Sequence, residues 1–302
     1  MKKDCLMKMI KKEGALYVMI IPAVVLIFLF NYIPMYGVLM AFQNHIPAKG
    51  ITGSEWVGLK HFVSFFRDPF CGRIFKNTIL LGAYSLLWGF PAPILLALLL
   101  NELRESKFKR IVQTVSYMPF FISTVIIIGL MNEIFSLSGI LNQLISSLGG
   151  TVVSFMERPE WFRTLYIGSG IWSSVGYSSI IYLAAISGVN PELYESAILD
   201  GANRLQQARY ITIPSIMPTV SIMFIMNAGS ILSNDLQKIL LMYSPATYET
   251  ADVINTYVYR KGLLGGQYSY SAAVGLFMSL ISFILLWITN TISRKMGSES
   301  LI

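Results

Sequence analysis

The feature that most constrains this chain is its number of long stretches without Asp, Glu, Lys or Arg. A helix needs about 20 apolar residues to cross a bilayer. Charge-free runs of at least that length cover residues 14–48, 77–101, 111–132, 134–156, 164–191, 210–234 and 262–293. Only 13% of the residues are charged and 54% are hydrophobic, whereas a soluble domain carries about 25% charged residues. The sequence therefore predicts an integral membrane protein.

One of these runs, 134–156, is rich in Ser, Gly, Asn and Gln. Because hydropathy rather than the absence of charge decides membrane insertion, we do not expect this run to span the bilayer. The first run is too long for a signal peptide, and no small-residue cleavage site follows it. The sequence thus predicts an all-α integral membrane fold in a single domain over residues 1–302. Its six spans are expected at about 17–41, 78–100, 112–132, 165–188, 212–232 and 271–292.

The basic residues are concentrated in segments that six spans place on one side of the membrane. They include Lys2, Lys3, Lys8, Lys11, Lys12, Arg104, Lys107, Lys109, Arg110, Arg294 and Lys295. Because short loops rich in Lys and Arg stay in the cytoplasm, we expect both termini and the loops 101–111 and 189–211 to be cytoplasmic. The predicted location is the lipid bilayer of a bacterial plasma membrane, crossed several times. The net charge of +7 then reflects topology, and no compact basic domain indicates nucleic-acid binding.

The residues that usually carry chemistry are sparse. Cys5 and Cys71 are expected on opposite sides of the membrane, and His45 and His61 both fall in the first outer loop. Neither pair supports a disulfide framework or a metal cluster. The chain also contains no G-x-x-x-x-G-K-[ST] phosphate loop. We therefore expect no catalytic residue, no metal and no cofactor on this chain, and we do not expect an enzyme.

In the segment 55–75, aromatic residues alternate with basic ones in an amphipathic pattern. That pattern is typical of a helix lying in the membrane interface before the second span. The alternative is an ordinary loop with packed aromatic side chains.

The loop between spans four and five reads NPELYESAILDGANRLQQARYITIP over residues 190–214. Asn190 suits a helix N-cap and Pro191 suits the first helical position. Helical spacing puts Leu193, Tyr194, Ala197, Ile198 and Gly201 on one face and Glu192, Glu195, Ser196 and Asp200 on the other, with Leu199 as an exception. A glycine turn and a second helix follow. Two interpretations remain open on geometry alone: a helix that docks a partner, or a loop helix resting on the membrane.

The same loop resembles the "EAA" signature of binding-protein-dependent ABC importer permeases. That signature is Glu-Ala-Ala, three residues, Gly, nine residues, then Ile-x-Leu-Pro. Here Glu195-Ser196-Ala197 is followed at that spacing by Gly201 and by Ile211, Ile213 and Pro214, with Ser196 and Ile213 as mild departures. Other stretches resemble the LplB-like branch of polysaccharide and oligosaccharide permeases: NYIPMYGVLMAFQN, WVGLKHFVSFFRDPF, SYMPFFIST, MYSPATYETADVINTYVYRKGL and AVGLFMSLISFILLWITNTISRKMGSESL.

The resemblance implies a six-helix permease subunit of a type I (MetI-like) ABC importer for sugars, in particular oligosaccharides or polysaccharide fragments. It implies a second, different permease subunit, two copies of a cytoplasmic ATPase that hold ATP and Mg, and an extracellular sugar-binding lipoprotein. The residues expected to couple this chain to the ATPase are Leu193, Tyr194, Glu195, Ala197, Ile198, Asp200 and Gly201.

Polar and aromatic residues within the spans are candidates for a sugar path. Trp172 and Tyr177 offer aromatic faces in span four, and Asn227 and Ser230 offer hydrogen-bonding groups in span five. The alternative is that such residues serve helix packing. Another alternative is that the partner subunit holds most of the sugar contacts.

Two other classes of protein are less compatible with the sequence. A membrane enzyme needs an intramembrane acid, base or metal cluster, and Glu133 is the only acid near a span that lacks another role. An ion-coupled secondary transporter usually has charged residues within its spans and two matching halves, and neither feature is found here.

Overall fold

The computed structural model describes residues 14–103 and 107–295. The N-terminal lysines, Cys5 and Arg104 lie outside the described residues. The α-helices are α1 (Gly14–Ile27), α2 (Ile33–Met35), α3 (Lys60–Arg67), α4 (Cys71–Gly89), α5 (Pro91–Glu102), α6 (Lys107–Tyr117), α7 (Thr124–Phe135), α8 (Ile140–Ser147), α9 (Pro159–Ser187), α10 (Pro191–Leu199), α11 (Arg204–Gln207), α12 (Ile213–Gly229), α13 (Leu236–Met242), α14 (Tyr248–Ala251), α15 (Ile254–Val258) and α16 (Tyr268–Lys295).

Shorter elements join these helices. Wider π-helical turns occupy Phe28–Tyr32, Ala208–Thr212 and Tyr259–Leu264, and tighter 3-10 turns occupy Tyr36–Phe42, Pro47–Lys49, Met118–Phe121 and Pro245–Thr247. Two short antiparallel strands, β1 (Gln43–Asn44) and β2 (Glu55–Trp56), place Gln43 opposite Trp56.

Five helical segments of the described chain are long and apolar enough to cross a membrane. They are Leu16–Phe42, Cys71–Glu102, Thr124–Ser147, Arg204–Gly229 and Tyr268–Ile292. Four of them overlap the predicted spans one, two, five and six, and the fifth, Thr124–Ser147, overlaps only the end of span three. The chain is thus a helical, multi-pass membrane protein, as predicted, and the strands of its described residues are those of the small hairpin.

The third predicted span, 112–132, is interrupted. Helix α6 ends at Tyr117, and a 3-10 turn containing Pro119 separates it from α7. Proline lacks the N–H that an uninterrupted helix would use at this point. The apolar segment begins instead at Thr124 and continues through α8 to Ser147, so it includes part of the run 134–156, for which the sequence predicts no span.

Helix α9 corresponds to the fourth predicted span. It has 29 residues, which at 1.5 Å per residue gives a length of about 44 Å, more than a bilayer core needs. Its many Ser and Gly residues lower its hydropathy, and it is not among the five segments above. The fourth predicted span therefore rests on the length of α9 and on its lack of charged residues from 164 onwards, and it stays a prediction.

The described residues form two compact units, whereas a single domain was predicted, and the single domain likewise stays a prediction. The first unit contains residues 14–68 and 258–277. Within it, Phe65 of α3 is buried and packs against the rings of Tyr270 and Phe277, with centroids 6.3 and 6.2 Å away. The amphipathic helix expected over 55–75 is thus limited to Lys60–Arg67, because β2 precedes it and α4 begins at Cys71.

The second unit contains residues 69–257 and 278–295 of the described chain, with α9 at its centre. Helix α9 packs against α4, α5, α6, α12 and α13. Apolar burial drives helix association weakly in lipid, so close backbone approach becomes important. A Cβ atom at Gly176 of α9 would overlap the main-chain carbonyl of Ser116 in α6, which only glycine avoids.

Candidate substrate cavity and coupling loop

The loop between α9 and α12 begins with the capped helix that the sequence predicts. The Asn190 side-chain oxygen accepts a hydrogen bond from the main-chain N–H of Glu192 at 3.1 Å, and Pro191 is the first helical residue. At the other end, Gly201 has φ = +77°. Its N–H donates to the Ile198 carbonyl at 3.0 Å, and the N–H of Ala202 donates to the Ala197 carbonyl at 2.8 Å. This pair of bonds is the Schellman motif, which satisfies the last carbonyls of a helix.

A second capped helix follows directly. Asn203 and Gln206 form a reciprocal capping box at the start of α11, which satisfies two N–H groups that would otherwise lack partners. The Arg204 guanidinium pairs with the Glu102 carboxylate at 2.8 Å, which ties α11 to the end of α5. The predicted second helix therefore exists, and it continues through the π-helical turn into α12.

The residues expected on the apolar face of α10 differ in their exposure. Leu193 and Ile198 are 48% and 61% exposed. Tyr194 differs from this expectation, because it is partly buried and its hydroxyl lies 2.9 Å from the Thr212 hydroxyl at the start of α12. Leu199, the exception on the helical wheel, is 88% exposed. The apolar side chains that this helix offers to a partner are therefore those of Leu193, Ile198 and Leu199.

The remaining predicted coupling residues are distributed over both sides of α10. Glu195 and Asp200 are exposed, Ala197 is partly buried, and Gly201 is exposed in the turn. The helix thus presents two carboxylates beside its open apolar side chains, while Tyr194 holds it to α12.

A polar cavity of about 400 Å³ lies among α4, α5, α7, α9, α12 and α13. Its walls are rich in hydroxyl, amide and charged side chains: Ser85, Tyr166, Ser173, Ser174, Ser178, Tyr182, Asn227, Ser230, Ser233, Asn234, Asp235 and Lys238. Such groups can form hydrogen bonds with a ligand that carries many hydroxyls. The described residues contain no group of three or more His, Cys, Asp and Glu side chains that could hold a metal ion.

The structure brings together two of the four residues predicted for the substrate path. Asn227 and Ser230 both line the polar cavity. Trp172 lines a separate apolar cavity of about 620 Å³, and Tyr177 stacks on Phe120 with ring centroids 3.9 Å apart. Neither Trp172 nor Tyr177 lines the polar cavity that Asn227 and Ser230 share.

The chain between α12 and α13 forms one wall of the polar cavity and is held in place by specific contacts. A Cβ atom at Gly82 of α4 would overlap the Ile231 carbonyl oxygen, so the two backbones meet at that glycine. The main-chain N–H of Asp235 donates to the Tyr166 hydroxyl at 3.1 Å. The Asp235 carboxylate then caps α13 by accepting from the N–H of Lys238 at 3.0 Å.

Sequence reasoning missed Tyr166, Asp235 and Lys238 as cavity residues. Asp235 and Lys238 follow the predicted fifth span, in a segment assigned to an outer loop. The available signal was Asp235, a residue type that suits a helix N-cap, directly before the apolar-periodic stretch that begins at Leu236. That signal predicts α13 but does not place it against α9.

The family assignment agrees with this architecture. The sequence profile of the binding-protein-dependent transport system inner membrane component matches residues 89–298, which is more than half of the chain.

This chain belongs to that family. It is therefore a membrane component of a binding-protein-dependent transporter, and the predicted family, with its LplB-like branch, is confirmed by its relatives.

Two relatives from Bacillus subtilis (strain 168) match nearly the whole chain. The polygalacturonan/rhamnogalacturonan transport system permease protein YteP is 44% identical, over 99% of this chain and 94% of its own length. Protein LplB is 40% identical, over 98% and 93% of the two chains.

Two solved structures share the fold. One is a bacterial ABC transporter involved in the import of the acidic polysaccharide alginate. Its chain is 44% identical, the match covers 96% of this chain and 98% of that one, and the TM-score is 0.88. The other is a bacterial alginate ABC transporter in complex with an alginate pentasaccharide-bound periplasmic protein. It is 42% identical over 97% and 99% of the two chains, with a TM-score of 0.89. The predicted ABC importer permease fold is thus confirmed.

Proposed function

We propose that this family member is the transmembrane permease subunit of an ATP-driven importer that takes up oligosaccharides from an extracellular binding protein. The observation that carries the proposal is the polar cavity between the membrane helices. A sugar leaving water needs a partner for each hydroxyl, because an unpaired polar group in a dry site is costly. The side chains of Ser173, Ser174 and Asn227 in this wall donate to main-chain carbonyls, and their oxygen atoms can accept from the hydroxyls of a sugar. The names of the relatives, which concern polysaccharides and an oligosaccharide, support this class of cargo.

Helix α10 is the proposed contact with a cytoplasmic ATPase, which would hold ATP and Mg. Leu193, Ile198 and Leu199 are exposed on a loop helix rather than on a spanning segment. Burying such side chains in a groove of a partner stabilises the contact by about 1.5–3 kcal/mol each. The exposed carboxylates of Glu195 and Asp200 suit basic groups at the rim of that groove. The α10 loop and both termini are then cytoplasmic.

A second permease subunit is the other proposed partner. The first candidate span, Leu16–Phe42, buries none of its most apolar window inside this chain. In a bilayer that surface meets lipid or the helices of another subunit. We propose a complex of this chain with a second permease, two ATPase copies and the binding protein.

The test is reconstitution of the complete importer in proteoliposomes. We expect uptake of a labelled trisaccharide, for example trigalacturonate or galactotriose, that needs ATP inside the vesicles, the binding protein and this chain. Omitting each of the three in turn provides the controls. Uptake that continues without this chain, or that never occurs with either sugar, would contradict the proposed function.

A further inference from the structure

The wall of the polar cavity contains one ammonium group, that of Lys238. Lys238 is 8% exposed, and its Nζ atom donates to the main-chain carbonyl of Tyr166 at 2.7 Å. The same Nζ atom lies 4.6 Å from the centre of the Tyr166 ring. Both partners attract a cation, but neither carries a full negative charge.

The nearby carboxylate of Asp235 also lines the cavity, but it caps a helix. One oxygen of Asp235 accepts from the main-chain N–H of Lys238 at 3.0 Å, which caps helix α13. Helix N-termini stabilise negative charge themselves, so the cap accounts for this carboxylate without an ion pair to the ammonium. The buried ammonium therefore keeps most of its positive charge available to a ligand.

The ammonium also has room and free donors. A lysine ammonium has three N–H donors, and the Tyr166 carbonyl uses one of them. On the facing helix α9, position 170 is glycine, and a Cβ atom there would lie 3.2 Å from Nζ. The absence of a side chain at Gly170 thus leaves the ammonium uncovered on the side where both residues line the cavity.

We propose that the cavity takes a sugar that carries a carboxylate, such as a uronate, and that Lys238 binds this carboxylate. The serine and asparagine side chains around it bind the hydroxyls of the same sugar, while the Tyr166 carbonyl and Gly170 hold the ammonium in position. A buried charge is stable when it is paired and hydrogen-bonded, and the carboxylate of the cargo supplies that pairing. This assignment rests on the proposed function, because it names the class of oligosaccharide that the same cavity accepts.

The test compares an acidic with a neutral sugar in the reconstituted importer. Trigalacturonate and galactotriose share a similar skeleton, but only the first carries carboxylates. Lys238→Gln removes the charge and keeps an amide donor, and Lys238→Arg keeps the charge. Lys76→Gln removes an exposed lysine on α4 that does not line the cavity.

We expect Lys238→Gln to lower the transport efficiency for trigalacturonate by roughly ten- to a hundredfold, the range of a lost charge-assisted hydrogen bond. Lys238→Arg should retain most of the efficiency, and Lys76→Gln should match the wild type. Any uptake of galactotriose should be equal in all four proteins. If Lys238→Gln lowers the uptake of both sugars alike, or if the Arg and Gln variants lose trigalacturonate uptake equally, then Lys238 has only a structural role and the proposal is overturned.

A second pair of variants leaves the lysine in place. Gly170→Ala brings a methyl group against the ammonium, whereas Gly168→Ala on the same helix meets no atom within 4 Å. We expect a several-fold loss with trigalacturonate in the first variant only. Equal trigalacturonate uptake by the two variants overturns this inference and leaves the proposed function intact. The same holds if the wild-type importer takes up galactotriose but not trigalacturonate. Absence of uptake of both sugars by the wild type contradicts the proposed function itself.

Discussion

Gly201 ends helix α10 in a backbone conformation that favours glycine. Its φ of +77° lies in the left-handed region, and the space around its Cα is open. A side chain there costs about 1–2 kcal/mol through its own backbone, and relief of that strain would tilt α10. We expect Gly201→Val to leave the chain in the membrane but to reduce both transport and substrate-stimulated ATP hydrolysis in the reconstituted importer.

Gly188 offers a matched control for that variant. It lies near the start of the loop that contains Gly201, at φ = −85°, and a Cβ atom there would make only an ordinary contact. Gly188→Ala should therefore be nearly silent. Wild-type transport and ATP hydrolysis in Gly201→Val would remove the basis for assigning α10 to the ATPase contact.

Lys238 provides a pH-dependent prediction at the same scale. Burial lowers the pKa of Lys238 to about 8, and the nearby Asp235 carboxylate partly opposes this shift. Tyr166 is the ionisable side chain that faces it from α9, and Glu133, the one on the adjacent α7, is exposed. Binding of a carboxylate needs the protonated lysine, so this affinity is present below the pKa and is lost as the pH rises through it.

We therefore expect trigalacturonate uptake to fall as the external pH is raised from about 7, below the lowered pKa of Lys238, to about 10, near the ordinary pKa of lysine. Any uptake of galactotriose should change much less over the same range. Lys238→Arg should flatten the profile, because a guanidinium stays charged throughout. An acidic-sugar profile that falls equally in the Arg variant would show that another group titrates.

At the scale of elements, the contact between α9 and α6 depends on a missing side chain. A Cβ atom at Gly176 would overlap the main-chain carbonyl of Ser116, so the helices would have to separate. Overpacking of this kind costs about 1–3 kcal/mol. Gly176→Ala should therefore lower the thermal unfolding midpoint of the purified importer. Gly168→Ala, on the same helix but facing open space, should leave it unchanged, and equal midpoints would contradict the close approach.

At the scale of the whole molecule, the testable quantity is the side of the membrane on which each loop lies. Leu199 at the end of α10 and Leu148 after α8 are 88% and 87% exposed, so their accessibility to a reagent should differ only by topology. After replacement of Cys5 and Cys71 by serine, we expect Leu148→Cys to react with a membrane-impermeant thiol reagent in intact cells. Leu199→Cys should react only after the cells are opened. The reverse pattern would invert the topology.

The sequence by itself determined the features that depend on local chemistry. The charge-free runs predicted a helical membrane protein because each spanning helix must satisfy its own backbone in lipid. Asn190, Pro191 and Gly201 predicted the two ends of α10, since caps and left-handed turns are set by neighbouring residues. The spacing around Glu195 predicted the family, because that motif lies within one continuous loop.

Only the tertiary structure decided which side chains share the cavity. In a membrane helix both the lipid-facing and the packed faces are apolar, so the sequence of α9 does not show that Trp172 and Tyr177 lie outside the cavity that Asn227 lines. Lys238 enters the cavity because the chain between α12 and α13 meets α4 at Gly82, where the Ile231 carbonyl leaves no space for a Cβ atom. That approach joins residues about 150 positions apart, and no local pattern in either segment specifies it.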